Sequence, residues 1–336
     1  MQEKFQGQIE SIQLLRVIAS VGVALFHIQC FYNTGLYLQF GVHLFYIISA
    51  FLMMYTTQKE PKAHFITRRL LRFVPLYWLL TFATYAAMKI VPGLIGGGTT
   101  DINSFVCSLL FIPYTRDGLR GTGVIRPIVG PGWTLNYEVL FTVIFAIAMK
   151  ISHKHRGLFT GCVLAVLAAC GAIFEIHSAP LFFWTRDYWV DFIAGIVVFS
   201  ILKKLYFAFF SRKIRFCYTT VAITAMIIMC WGGFGEPRWL IFAGLGSLAV
   251  ISFLLGLKDV HIPNVFLKAG NISFSFYLIH YYVIIFVGKV FDLDSFGIPA
   301  VIGTVLVFAV TYVLAYISYM VVEVKFTGVL KEKMRI

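Results

Sequence analysis

The sequence predicts an all-α, polytopic integral membrane protein: about ten transmembrane helices, both termini cytoplasmic, and one long outer loop. Three observations carry this. Hydrophobic residues make up 60% of the 336 and charged residues only 13%, and the mean hydropathy of +0.85 lies far outside the range of soluble domains. Ten apolar stretches are long enough to cross a hydrocarbon core, which takes about 20 residues. Lys and Arg are unequally shared between alternate connections, the mark of a fixed orientation.

In chain order the spans are expected near 11–30, 39–57, 72–91, 133–151, 157–176, 188–203, 214–231, 238–256, 271–290 and 297–323. With the N-terminus inside, inner segments hold 20 Lys and Arg and outer loops hold 6, Arg16 and Lys89 lying within helices. Most connections are short turns. Residues 92–132 are different: an outer segment rich in Gly, with Pro92, Pro113, Pro127 and Pro131. Within it Phe105 to Ile112 is apolar but too short to span, which predicts a re-entrant or interfacial helix. No internal repeat and no separate soluble domain is visible, so residues 1–336 are read as a single transmembrane domain.

The first ten residues are polar, with Glu3 and Glu10, and no small-residue cleavage site follows the first apolar run. An uncleaved signal anchor is expected. The net charge of +13 is scattered over the inner turns. It reports orientation, and no nucleic-acid partner is expected. Cys30, Cys107, Cys162, Cys170, Cys217 and Cys230 show no close paired spacing and read as small core residues, without metal or disulfide roles.

Arg16 and His27 stand eleven residues apart in the first span. Eleven steps of about 100° return a helix to within roughly 20° of its starting azimuth, about 16 Å further along the axis. A helix crossing lipid carries such groups where they face protein or a water-filled cavity. Arg16 needs an anionic partner, for which a phosphate or carboxylate is suited. In the plainer reading it snorkels to the inner surface and pairs with Glu10 or headgroups. Arg68, Arg69 and Arg72 lie in an inner connection. The spacing of three puts Arg69 and Arg72 on one helical face, able to clamp a polyphosphate, although positive-inside bias also explains them.

By the same depth count His27, His43, Trp133 and Glu138 occupy the outer thirds of their spans. His is the natural general base near neutral pH. Glu138 could orient it, bind a hydroxyl, or stay protonated as a structural donor. Asp191, near the outer end of the sixth span, is a similar candidate. Trp133 could equally be an interfacial anchor. His280 sits mid-span among Tyr277, Tyr281 and Tyr282, where a structural hydrogen bond or a place along a ligand channel are both open.

Four motifs combine: Arg16 with His27; Gly41-Val42-His43-Leu44-Phe45-Tyr46-Ile47-Ile48-Ser49-Ala50-Phe51; Arg69-x-x-Arg72; and Gly130-Pro131-Gly132-Trp133-Thr134-Leu135-Asn136-Tyr137-Glu138. With Asn271-Ile272-Ser273-Phe274-Ser275-Phe276-Tyr277-Leu278-Ile279-His280 they resemble the acyltransferase-3 family over roughly residues 9 to 323. The likeness is greatest to its exopolysaccharide-production and O-antigen-acetylase type. Two positions depart from the family pattern: Ala50 replaces a usual Gly, and His43 stands where an acidic residue is common.

The resemblance implies transfer of an acyl group, acetyl from acetyl-CoA above all, to a sugar hydroxyl of a surface polysaccharide or its lipid-linked precursor. Acyl-CoA would bind from the cytoplasm through Arg16, Arg68, Arg69 and Arg72. His27 would act as general base with Glu138 beside it, or carry the acyl group transiently. His43, Trp133 and Asp191 would contact the acceptor. Acetyl-CoA is a co-substrate here; no permanently bound cofactor or metal is implied, and the oligomeric state is open. The 16 Å or so between Arg16 and His27 is comparable to an extended pantetheine arm. Two other classes compete: a transporter or exporter of a polar solute or polysaccharide precursor, and a non-catalytic scaffold of a polysaccharide synthesis complex.

Overall fold

Apolar runs of this length bury their backbone polar groups by closing them within helices, and the computed structural model is helical throughout. It describes residues 6–58, 64–91, 101–115, 127–205, 210–235, 237–258 and 260–335, and no β-strand occurs among them. The helices are α1 (Gln6–His27), α2 (Gln29–Tyr32), α3 (Phe40–Thr56), α4 (Phe65–Leu70), α5 (Val74–Ile90) and α6 (Ile102–Leu109). They continue with α7 (Trp133–Ile151), α8 (Arg156–Ile173), α9 (Ala179–Trp184), α10 (Trp189–Leu205), α11 (Arg212–Trp231) and α12 (Arg238–Gly256). Last come α13 (Asn264–Asn271), α14 (Ser273–Val287), α15 (Ile298–Ser318) and α16 (Thr327–Lys333), with a π-helix over Tyr319–Phe326 joining the final two.

Each of the ten expected segments coincides with a helix. By length and composition, six described helical stretches can cross a membrane, or seven if the pair α13–α14, bent by 70°, is one span. At 17 residues, α3 falls just short of that test. The chain divides into two compact units, residues 1–59, 190–273 and 286–309 in the first, and 60–189, 274–285 and 310–336 in the second.

In the first unit α1 and α3 pack antiparallel through small residues. A side chain at Gly41 would overlap the Ala19 carbonyl, and one at Gly22 would meet Leu38 O and Phe40 at 3.1 Å. Close approach of this kind is how apolar helices gain dispersion contacts where no hydrophobic force acts between them. Ala50 is accommodated from the other side: a side chain at Gly195 of α10 would overlap the Ile47 carbonyl and come within 2.7 Å of Ala50 Cβ. Gly195 thus leaves the room that Ala50 occupies. The first span ends earlier than expected, at His27. Ile28 is extended (φ −85°, ψ 120°), and Cys30 N–H donates to Leu293 O at 2.7 Å, outside its own helix.

In the second unit the described residues 101–115 of the long connection lie on α5. Its helix runs Ile102–Leu109, three residues before the expected Phe105–Ile112, because the Asp101 carboxylate accepts from Ser104 N–H at 3.1 Å and caps the earlier start. Trp78 Nε1–H donates to Leu109 O at 2.9 Å, and Phe105 packs against Phe82 and Tyr85. The segment therefore returns along α5 by about 10 Å between Tyr85 and Trp78. The Ser108 hydroxyl accepts from Ile128 N–H at 3.1 Å, tying the two described parts together. Pro92 and Gly118 lie outside the described residues.

Candidate functional site

In the first unit Arg16, Ser20 and His27 lie along one face of α1. Arg16 is buried, 8% exposed, and its Nη1–H donates to Gln13 Oε1 at 3.2 Å. Ser20 donates to the Val17 carbonyl at 2.9 Å. His27, half-buried, has Nδ1 2.9 Å from the Val23 carbonyl. A carbonyl only accepts, so Nδ1 carries the proton and the lone pair of the neutral ring is on Nε2. The backbone one turn earlier thereby fixes which nitrogen can act as a base.

The sequence offered His43 and Asp191 as separate candidates, and the structure joins them. His43 Nδ1 lies 2.7 Å from Asp191 Oδ2, with side chains 7% and 3% exposed. Its Nε2 is 3.3 Å from the Tyr37 hydroxyl, and its ring stacks on Phe242 with centroids 4.7 Å apart. Because Gly41 faces Ala19 of α1, His43, two residues and about 200° further round, leads away from α1.

The second unit revises a larger expectation. Glu138 was placed in the outer third of its span and the Arg run at the inner surface. The two meet instead: Arg69 Nη2 is 3.3 Å from Glu138 Oε2, each side chain 17% exposed. The reason is that α4 is more than a surface turn. It runs antiparallel along α7, with Phe65 against Phe145 and Arg69 against Glu138, before α5 opens at Val74. Sharing the pair lets both charges sit away from solvent, where either alone would be costly. Arg68 and Arg72 are exposed.

Residues not singled out from sequence join this region. Glu323 of the π-helix accepts from the Ser275 hydroxyl at 2.5 Å, and the Thr327 hydroxyl, which donates to the Val322 carbonyl at 2.8 Å, lies 3.4 Å from the Leu71 carbonyl of the α4–α5 turn. An acidic residue at the end of the last span was the available signal. The Tyr77 hydroxyl and Asn136 Oδ1 are buried without a hydrogen-bond partner among the described residues. Trp133 opens α7 among the rings of Tyr137, Phe183 and Tyr188. His280 is fully buried beside Phe276 and Tyr277. Among the described residues no cluster of three or more His, Cys, Asp or Glu could hold a metal ion.

Residues 9–320, spanning both units, match the model of the acyltransferase-3 family, described as an acyltransferase domain. The chain belongs to that family. It is therefore an enzyme that moves acyl groups, and the transporter and scaffold readings fall away. It is 27% identical to the exopolysaccharide production protein ExoZ of Rhizobium meliloti over 276 residues, 77% of this chain and 81% of the relative. It is 23% identical to the O-acetyltransferase OatA of Staphylococcus aureus over 346 residues, 92% of this chain and 55% of that longer protein. No solved structure matches the chain.

Proposed function

We propose that this membrane acyltransferase transfers acetyl from cytoplasmic acetyl-CoA to a sugar hydroxyl of a surface polysaccharide or its lipid-linked precursor. The ten helices cross a bacterial inner membrane with both termini inside. The observation that carries the reading is the α1 face, on which a buried Arg16 and a His27 of defined tautomer share one stripe. The names of its relatives, an exopolysaccharide production protein and an O-acetyltransferase, point to the class of acceptor and group.

The second unit offers Arg69 and Arg72, with Arg68 flanking, for the phosphates of the donor, and the first unit by itself offers Arg16 for an anionic group. His27 Nε2 takes the acceptor hydroxyl proton as the oxygen attacks the thioester carbonyl. The C–O bond forms, the C–S bond breaks, and the proton passes to the departing thiolate. Glu138 tunes the donor end through Arg69. In the first unit Asp191 and His43 are the candidates for the acceptor; in the second unit the candidate is Trp133.

Mass spectrometry of the surface polysaccharide from cells with and without the gene tests this. Loss of acetyl esters on deletion is expected. An unchanged ester content would refute it.

A further inference from the structure

Hydroxyls inside the second unit pair with one another or with the backbone. Thr84 and Tyr282 share a hydrogen bond of 2.7 Å, Ser108 and Tyr114 share one of 3.0 Å, and the Tyr137 hydroxyl donates to the Phe183 carbonyl at 2.6 Å. Tyr77 and Asn136 depart from this. Both are buried, yet Tyr77 Oη and Asn136 Oδ1 have no hydrogen-bond partner among the described residues. Folded proteins leave few buried polar atoms in that condition, because each gives up water without replacement. A donor and an acceptor left open side by side point to a polar group that the protein takes up.

The surroundings hold the two residues in place. A side chain at Gly132 would overlap the Tyr77 ring, so this glycine lets α5 come up to the start of α7. Asn136, four residues on, stands about 6 Å further along α7 and about 40° round from Gly132, on the side that Tyr77 approaches. Phe111, just after α6, stacks on Tyr77 with ring centroids 4.9 Å apart. It adopts φ +57°, a conformation uncommon for a residue with a side chain and one that gathers at ligand sites.

Tyr77 offers an O–H donor and Asn136 an oxygen acceptor. A secondary amide presents the complement, a C=O and an N–H on opposite edges. The arm of a coenzyme A thioester carries such amides in series beyond its diphosphate. Glu138, which pairs with Arg69, is about 3 Å from Asn136 along α7 and about 9 Å from Gly132. A donor whose phosphates engage Arg69 therefore brings its arm to this level of the helix.

We propose that Tyr77 and Asn136 form an amide-binding subsite for the arm of the acyl-CoA donor, Tyr77 donating to an amide carbonyl and Asn136 accepting from an amide N–H. This rests on the acyl-transfer reading and deepens it, adding recognition of the arm to that of the phosphates.

The test is calorimetry on the purified protein in detergent with two probes: coenzyme A, and adenosine bisphosphate, which keeps the nucleotide end of the donor and lacks the arm. Tyr77→Phe removes only the hydroxyl, and Asn136→Leu replaces the amide by an apolar group of similar size. Each is expected to weaken coenzyme A binding about tenfold and to leave adenosine bisphosphate binding within twofold. The thermal midpoint of ligand-free Tyr77→Phe should be no lower than that of the unaltered protein, since its hydroxyl has no partner to lose. Tyr77→Phe decides the matter if Asn136→Leu does not fold. Unchanged coenzyme A affinity in Tyr77→Phe, as for a site filled by water alone, overturns the subsite, and so does an equal loss for both probes or a lowered midpoint. If the unaltered protein binds neither probe, the acyl-CoA reading itself fails and the subsite falls with it.

Discussion

Arg69 and Glu138 form an ion pair 3.3 Å long between a helix that precedes α5 and the first turns of α7. Any anionic donor that engages Arg69 must compete with that carboxylate or share the cation with it. The proposed donor site and the Trp-Thr-Leu-Asn-Tyr-Glu motif of α7 are in this way coupled through one ion pair.

Glu138→Gln is accordingly expected to tighten acetyl-CoA binding several-fold, since removing a negative charge near the phosphates is worth about 1 kcal/mol at a partly screened site. Arg69→Ala/Arg72→Ala should weaken it roughly tenfold or more, as hydrogen bonds to a charged partner contribute about 1.5–3 kcal/mol. Calorimetry on the purified proteins measures both. Unchanged affinity in Glu138→Gln together with unchanged affinity in the double variant would remove this region from the donor site.

The α1–α3 contact makes a separate prediction. Gly41→Val would drive a side chain into the Ala19 carbonyl, so the helices must part. Overpacking of this kind typically destabilises by about 1–3 kcal/mol. A lower thermal midpoint in detergent is expected, with activity falling in step. A midpoint equal to that of the unaltered protein would mean the contact is looser than described.

Orientation can be read directly. Cys introduced at Gly118 should react with a membrane-impermeant maleimide in intact cells, and Cys at Lys154 should react only after lysis. The basis is the excess of Lys and Arg in alternate connections. The reverse pattern would invert the protein and with it the donor-inside, acceptor-outside scheme.

The ten longest helices were legible because each is a long apolar run, and such a pattern needs no tertiary information. The shared stripe of Arg16 and His27 was legible for the same reason, being a property of one helix. Pairings between helices were not. Depth counted from span ends put Glu138 and Arg69 at opposite surfaces, since nothing in composition shows that α4 lies along α7. His43 and Asp191 are 148 positions apart, and no local pattern links them. The contacts of Tyr37 were not legible either, because they lie at Cys230 and Gly232, the far end of another helix. The start of α6 was misjudged by three residues because its apolar run begins after its Asp101 cap.

The central claim is that His27 Nε2 accepts the hydroxyl proton. Acetyl transfer from labelled acetyl-CoA to endogenous acceptor, in membranes holding equal amounts of the unaltered protein and of His27→Ala, tests it most directly. Loss of a general base lowers rates by about 10²–10⁴-fold, and a fall of that size with acetyl-CoA affinity retained is predicted. A His27→Ala protein that keeps most of its transfer activity would contradict the account.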